Sequence, residues 1–326
     1  MARDTAQSVV ALGGGHGLFA SLSALRRLVA ELTLDELTAV VTVADNGGSS
    51  GRLRDEFGVL PPGDLRMALA ALCGDDEWGR TWAQLVQHRF KGEGDMQGHA
   101  IGNLLIVGLW ELMGDPVRAL DWVGRLLGAR GRVLPMAITP IDMTAVVRGN
   151  DSNDLSLTTT VRGQVEVATT AGQIVSVALD PADPDACPEA IEAVMAADWV
   201  VLGPGSWFTS VIPHLMVPRL RQALVDTSAN LIVVLNLVPE GETPGFGPED
   251  HLGALFEHAP DLKIHTVLAD VRSVAHPERL DRAVASAGGQ LVIADVATDE
   301  ATDRHDDVKL AAAFEEIMGG IPIKGH

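Results

Sequence analysis

Three times in this chain an apolar run stops abruptly at a glycine-rich polar segment. Val9-Val10-Ala11-Leu12 runs into Gly13-Gly14-Gly15-His16-Gly17. Val40-Val41-Thr42-Val43-Ala44 runs into Asp45-Asn46-Gly47-Gly48-Ser49-Ser50-Gly51-Arg52. Trp199-Val200-Val201-Leu202 runs into Gly203-Pro204-Gly205-Ser206. Glycine lets a backbone approach a ligand closely and turn its N–H groups toward it. Serine hydroxyls and an arginine complete a pocket for anionic oxygens. In an open α/β sheet such pockets lie at the carboxyl ends of the strands. Three of them point to a phosphorylated ligand, and a nucleotide is the simplest one.

The rest of the chain has the texture such a sheet needs. Leu18, Leu22, Leu25 and Leu28 are spaced for one face of a helix over 18–30. With a second strand over 37–44 this makes an N-terminal βαβ unit. Pro61-Pro62-Gly63-Asp64 introduces a helix over 65–72, with Asp64 suited to its N-cap. Residues 104–113, 116–127 and 188–196 read as helices. Residues 131–135, 199–202, 231–235, 266–268 and 291–294 read as extended or strand. Alternation of strands and helices predicts a mostly parallel sheet with helices on both faces. Residues 148–180 differ. Val/Thr alternation over 158–167 and 174–179, with an exposed turn at 150–154, predicts an inserted β-hairpin. The expectation is a single α/β domain over residues 1–326, a three-layer sandwich carrying that insert.

Charge narrows the partners. The chain has 24 basic and 44 acidic residues, a formal net charge of −20. A strongly acidic surface repels nucleic acid and anionic membranes. An anionic ligand must then be held by local N–H groups and a few arginines, and a divalent cation would ease the repulsion. Cys73 and Cys187 are the only cysteines, too few and too far apart for a disulfide framework or a zinc site. The first seven residues are polar, unlike a signal peptide. The longest apolar stretch, Leu104 to Trp110, is flanked by Asn103 and Glu111 and is too short to span a bilayer. The expected location is the cytoplasm.

The familiar phosphate motifs do not fit. After Gly13 and Gly15 the dinucleotide fingerprint requires glycine where Leu18 stands, and no Gly-Lys-Ser/Thr sequence exists. Gly-Pro-Gly-Ser-Trp is not a nucleophile elbow. Candidate ligand residues are Gly13, Gly14, Gly15, His16 and Gly17; Asp45, Asn46, Gly47, Gly48, Ser49, Ser50 and Arg52; and Gly63, Asp64 and Arg66. His99 and Asn103, four apart at a helix start, extend the set. So do Gly203, Gly205, Ser206, Thr209 and Asn236. Arg54 is a further candidate phosphate partner. Asp45 and Asp64 are the pair that could share Mg²⁺ with ligand phosphates.

In this order the segments resemble the gluconeogenesis-factor (YvcK-like) family within the CofD-like group. The carrying residues are Ala11–Leu18, Val41–Arg54, Leu60–Arg66, Gly98–Leu104, Arg130–Pro135 and Val201–Ser206, with Asn236 and Gly241-Glu242-Thr243. His16 and Trp207-Phe208 match its actinobacterial branch. The resemblance implies a Rossmann-like fold and binding of a UDP-sugar such as UDP-N-acetylglucosamine or UDP-glucose. It implies a cytoplasmic role in cell shape and peptidoglycan synthesis, needed most on gluconeogenic carbon sources, without clearly implying catalysis. Related CofD transferases move a phospholactyl group from a guanylated donor, with Mg²⁺ on two aspartates that fall at Asp45 and Asp64 here. A Mg²⁺-dependent transferase is therefore the alternative reading. The chain departs from the family at Asn46, usually an acid, and at Met67, commonly asparagine. Family resemblance and the prevalence of two-fold assemblies also predict a homodimer.

Overall fold

The computed structural model describes residues 7–31, 33–150, 156–238, 243, 245–300 and 303–320. Among these the chain runs β1 (Ser8–Gly13), α1 (Gly15–Ala30), β2 (Glu36–Val41), α2 (Gly48–Phe57), α3 (Pro62–Ala71), α4 (Glu77–Gln87), α5 (Ile101–Met113) and α6 (Pro116–Leu127). It continues with β3 (Arg132–Pro135), β4 (Asp142–Arg148), β5 (Thr158–Arg162), α7 (Gln164–Ala168), β6 (Gln173–Asp180), α8 (Pro188–Ala196) and β7 (Trp199–Leu202). A π-helical turn (Trp207–Val211), α9 (Ile212–Met216), α10 (Pro218–Asp226), β8 (Asn230–Val234), α11 (Pro248–His258), β9 (Thr266–Asp270), α12 (Pro277–Ser286), β10 (Gln290–Ala294) and α13 (Asp307–Gly319) complete it.

Seven strands form one sheet in the order β10-β9-β8-β7-β1-β2-β3, and every pairing in it is parallel. Strands buried on both faces read as unbroken apolar runs. Val9 to Leu12, Val200 to Leu202 and Leu231 to Val234 are all buried. The order reverses between β1 and β7: the chain winds outward from β1 through β2 to β3, and from β7 through β8 and β9 to β10. That reversal is the switch point, where open sheets leave a crevice for ligands. The fold is the expected α/β three-layer arrangement.

Several boundaries differ from expectation. β2 ends at Val41, because its parallel partner β3 ends at Pro135 and the ladder cannot continue. α1 starts at Gly15 rather than Leu18, and α5 at Ile101 rather than Leu104. The second glycine segment is mostly helix: Gly48, Ser49, Ser50, Gly51 and Arg52 all belong to α2. Asp64 does not cap α3. Pro61 occupies that position and Pro62 the first helical one, where a missing N–H costs nothing.

The insert is larger than a hairpin. β4 lies between β5 and β6 in an antiparallel three-stranded sheet that begins at Asp142. The expected strand over 158–167 stops at Arg162. Gly163, at φ +105°, turns the chain into the short helix α7. The turn expected at 150–154 lies outside the described residues apart from Asn150. One hydrophobic cluster joins both sheets, with Met143, Val147 and Ile174 of the insert in the same core as Val40 and Leu202.

Candidate functional site

The first and third glycine segments meet at the switch point. A Cβ added to Gly17 would collide with the Pro204 carbonyl and with Gly205, so only glycine lets the α1 N-terminus pack there. Ser21 Oγ then donates 2.9 Å to Gly203 O, tying α1 to the third segment. Asn236 follows β8 and locks the same segment from the other side. Its Oδ1 accepts from Gly205 N–H and its Nδ2 donates to Gly205 O, both at 3.0 Å. Asn236 thus holds the backbone that faces the crevice, and its second amide N–H is left over for the cleft that it lines. The π-helical turn comes next, a form of helix that recurs at functional sites. It buries Thr209 and Ser210, while Ser206 stays partly exposed. Trp207, fully buried, anchors the turn by donating 2.9 Å to His251 O.

On the other flank of the α1 N-terminus two carboxylates converge. A Cβ on Gly14 would lie 2.7 Å from Asp64 Oδ2, and one on Gly63 would lie 2.7 Å from Asp45 Oδ2. Burial, then the neighbouring Asp45 charge, push the Asp64 carboxyl up to about 7. The Gly15 N–H and Arg66 pull the other way. Asp45 Oδ1 accepts 2.8 Å from Gly47 N–H, which folds the second segment back over the acid. Among the described residues no third carboxylate, histidine or cysteine joins this pair to form a metal cluster. Two carboxylates still fit a magnesium ion that takes its remaining ligands from water and phosphate oxygens.

Behind the acids lies a buried polar chain. Arg66, 4% exposed, donates from Nε to Asn103 Oδ1 at 2.9 Å. Asn103 Nδ2 donates to Ser49 Oγ at 3.0 Å, and Ser49 Oγ lies 3.1 Å from His99 Nδ1. Four candidate residues from three helices and the α5 approach therefore bond one another rather than lining an open pocket. Their product is a fixed Arg66 whose Nη1 is buried without a partner among the described residues. Burial, then nearby Arg89, lower the Arg66 guanidinium to about 10. Burial and the charges of Arg52 and Arg89 also lower His99.

The remaining arginines turn elsewhere. Arg52 is exposed and donates to the carbonyls of Asp95 (3.1 Å) and Gln97 (2.6 Å). Arg54 pairs with Asp142 of the insert. Asn46 also faces the insert: its Nδ2 donates 2.8 Å to Glu166 Oε2, and its Oδ1 accepts 3.0 Å from Val165 N–H. α7 thus clasps the second segment and also packs against the π-helical turn.

A cleft of about 770 Å³ opens beside the α1 N-terminus. His16, Gly17, Gly205 and Asn236 line it, as do Arg26 of α1, Cys73 and Asp75 beyond α3, and Asp303 to Asp307 at the start of α13. Sequence reading missed these last groups. Arg26 carries the one available signal, a charge standing four residues after Leu22 on a buried helix stripe. His305 carries no such signal. Burial pushes its imidazole down to about 4, and its Nε2 is buried without a partner among the described residues.

Comparison with known proteins gives the family and the fold. Residues 9–312 match the family described as 2-phospho-L-lactate transferase CofD. A Mycobacterium tuberculosis protein of the gluconeogenesis-factor name is 53% identical over 95% of this chain and 90% of its own length. The gluconeogenesis factor of Halalkalibacterium halodurans is 35% identical over 95% of this chain and 96% of its own. A crystal structure of a UPF0052 family member from Bacillus halodurans superposes with a TM-score of 0.81 at 30% identity, covering 95% and 99% of the two chains. With the glycine segments, the paired aspartates and the switch point all lying inside a family match that spans nearly the whole chain, this protein belongs to the gluconeogenesis factors of the CofD-like group.

Proposed function

We propose that this protein binds a UDP-sugar, such as UDP-N-acetylglucosamine or UDP-glucose, across the switch point. As a cytoplasmic sensor of that ligand it regulates cell shape and peptidoglycan synthesis, with its greatest effect during growth on gluconeogenic carbon sources. The observation that carries the reading is the packing of the α1 N-terminus on Gly203–Gly205 at the mouth of the cleft. Backbone N–H groups and the helix dipole favour a diphosphate there. The Nη1 of Arg66, unpartnered among the described residues, is a further argument for an anion beside Asp64. A calorimetric screen of UDP-sugars, UDP, GDP and NAD tests it. Binding of UDP-sugars in preference to the others is expected; preference for GDP or NAD would overturn it.

One observation favours a second reading. Asp45 sits close enough to Asp64 to raise its proton affinity, as in a pair built to hold Mg²⁺. A phospholactyl-type transfer from a nucleotide donor would then use this pair. Product formed from donor and acceptor with Mg²⁺, and abolished by Asp45→Asn, would establish it.

A further inference from the structure

Three of the six tryptophans stand on two neighbouring helices, Trp78 and Trp82 on α4 and Trp122 on α6. Trp78 is 56% exposed and Trp122 49%. Leu85 of α4 and Leu126 of α6 are exposed as well. Trp78, Trp82 and Leu85 follow one another by four and three residues, so they form one stripe of α4. Trp122 and Leu126 are four apart on α6 and share a face of it. Trp78 joins the two helices, its Nε1 donating 3.3 Å to Leu126 O. Large apolar groups gathered in this way on a protein surface mark a contact with a partner.

The side chains are held in place before any partner arrives. The Trp78 and Trp82 rings lie 5.4 Å apart. The Arg125 guanidinium sits over the Trp122 ring at 5.2 Å. Side chains already fixed lose little freedom on association. Tryptophan and arginine are also the residues that carry most of the energy at interfaces.

Charge selects the occupant. At −20 overall, two copies of this chain repel each other across most of their surface. Residues 75–132, which include both helices, hold seven basic and eight acidic residues, so nearly all of the acidic excess lies elsewhere. Along α4 the charges are also sorted. Asp75, Asp76 and Glu77 stand at its start, and Arg89 and Lys91 follow its end, all exposed. A second α4 running antiparallel sets each acidic start against the other's basic end and opposes the two helix dipoles.

We propose that two copies of this chain pair through this face, about a two-fold axis near Trp82 that lays α4 against an antiparallel α4. Trp78 of each copy then lies toward Leu85 of the other. The 11 residues of α4 span roughly 16 Å. A stable interface covers about 800 Å² on each copy, more than one such helix offers, so Trp122 and Leu126 of α6 complete the contact. Arg80 and Ala83 of α4 line the cleft, so the pairing braces one cleft wall from outside.

Analytical ultracentrifugation of the full chain at micromolar concentration is expected to give twice the mass of one chain. Trp78→Glu should weaken the dimer by at least about tenfold, as loss of an aromatic anchor does. Trp122→Glu should act in the same direction, and it decides the matter if Trp78→Glu does not fold. Crosslinking reads the geometry. Cys73 and Cys187 are buried, so an added exposed thiol reports on its own position. Thr81→Cys, next to the axis, should oxidise to a disulfide-linked dimer. Glu77→Cys, distant from its own copy in an antiparallel pair, should not. A single-chain mass for the wild type would overturn the proposal and leave the face to a different protein. A dimer unmoved by either glutamate substitution would overturn it by placing the interface elsewhere. Crosslinking at position 77 and not at 81 would overturn the antiparallel pairing.

Discussion

Arg66 Nε donates to Asn103 Oδ1 at 2.9 Å, while Nη1 of the same guanidinium is buried beside it with no acceptor among the described residues. The bond to Asn103 fixes the plane of the guanidinium, and the free donor marks where an anion would bind. Arg66→Ala should weaken UDP-sugar binding by about tenfold or more, since a charge-assisted hydrogen bond is worth roughly 1.5–3 kcal/mol. EDTA should weaken it much less. Abolition by EDTA with no effect of the substitution would make the site metal-centred.

Asp64 should make stability fall as pH rises. Its folded pKa of about 7 lies above the ordinary value of 3.8. Between those values the unfolded chain is ionised while the folded one keeps its proton, so stability decreases through this window. A tenfold difference in proton affinity between the two states is worth about 1.4 kcal/mol, so the loss across the window is of kcal/mol size. Asp64→Asn, which keeps an acceptor for the Gly15 N–H, should raise the melting temperature at pH 8 and have little effect at pH 4. Thermal denaturation across pH checks this; a variant equally stabilised at both ends would contradict it.

Gly17→Ala should destabilise the fold by ~1–3 kcal/mol, the usual range for overpacking. The added methyl meets the Pro204 carbonyl and Gly205, backbone atoms that cannot rotate away. The third segment must shift, so ligand affinity should fall in the same variant. Urea denaturation and calorimetry together test the claim. Wild-type stability would show that the α1 N-terminus and this segment are not in contact.

The Asn46–Glu166 hydrogen bond predicts a coupled pair. Asn46→Asp would set a carboxylate against Glu166 across a 2.8 Å contact. Because the pair is exposed, the loss should be small, on the order of 0.5–1 kcal/mol. Asn46→Asp combined with Glu166→Gln should recover most of it. A double-mutant cycle with no coupling would remove the clasp between α7 and the second segment.

The three glycine segments, the parallel sheet and the paired aspartates were legible in the sequence. Each depends on a local pattern: apolar runs bounded by glycine, and proline pairs before a helix. Strand ends were harder to place. β2 stops where its partner β3 stops, a fact about pairing that no residue in β2 carries. Ser49, His99 and Asn103 do come together, yet their bonds are to one another and to Arg66. The spacing of His99 and Asn103 predicted one shared helix face, but α5 begins at Ile101 and His99 stands before its cap, reaching Asn103 only through Ser49.

By itself the sequence determined the alternation of strands and helices, the glycines that permit close approach and the acids at the strand ends, because these follow from backbone sterics and short-range periodicity. Only the tertiary structure decided which of those groups meet. It put Asp64 against Gly15, Gly17 against Pro204, Asn46 against Glu166 across 120 residues of chain, and Arg26 against Asp75. Contacts of that kind arise when a parallel sheet folds distant segments onto one edge. Their partners are chosen by packing and by the hydrogen bonds each buried polar group still requires.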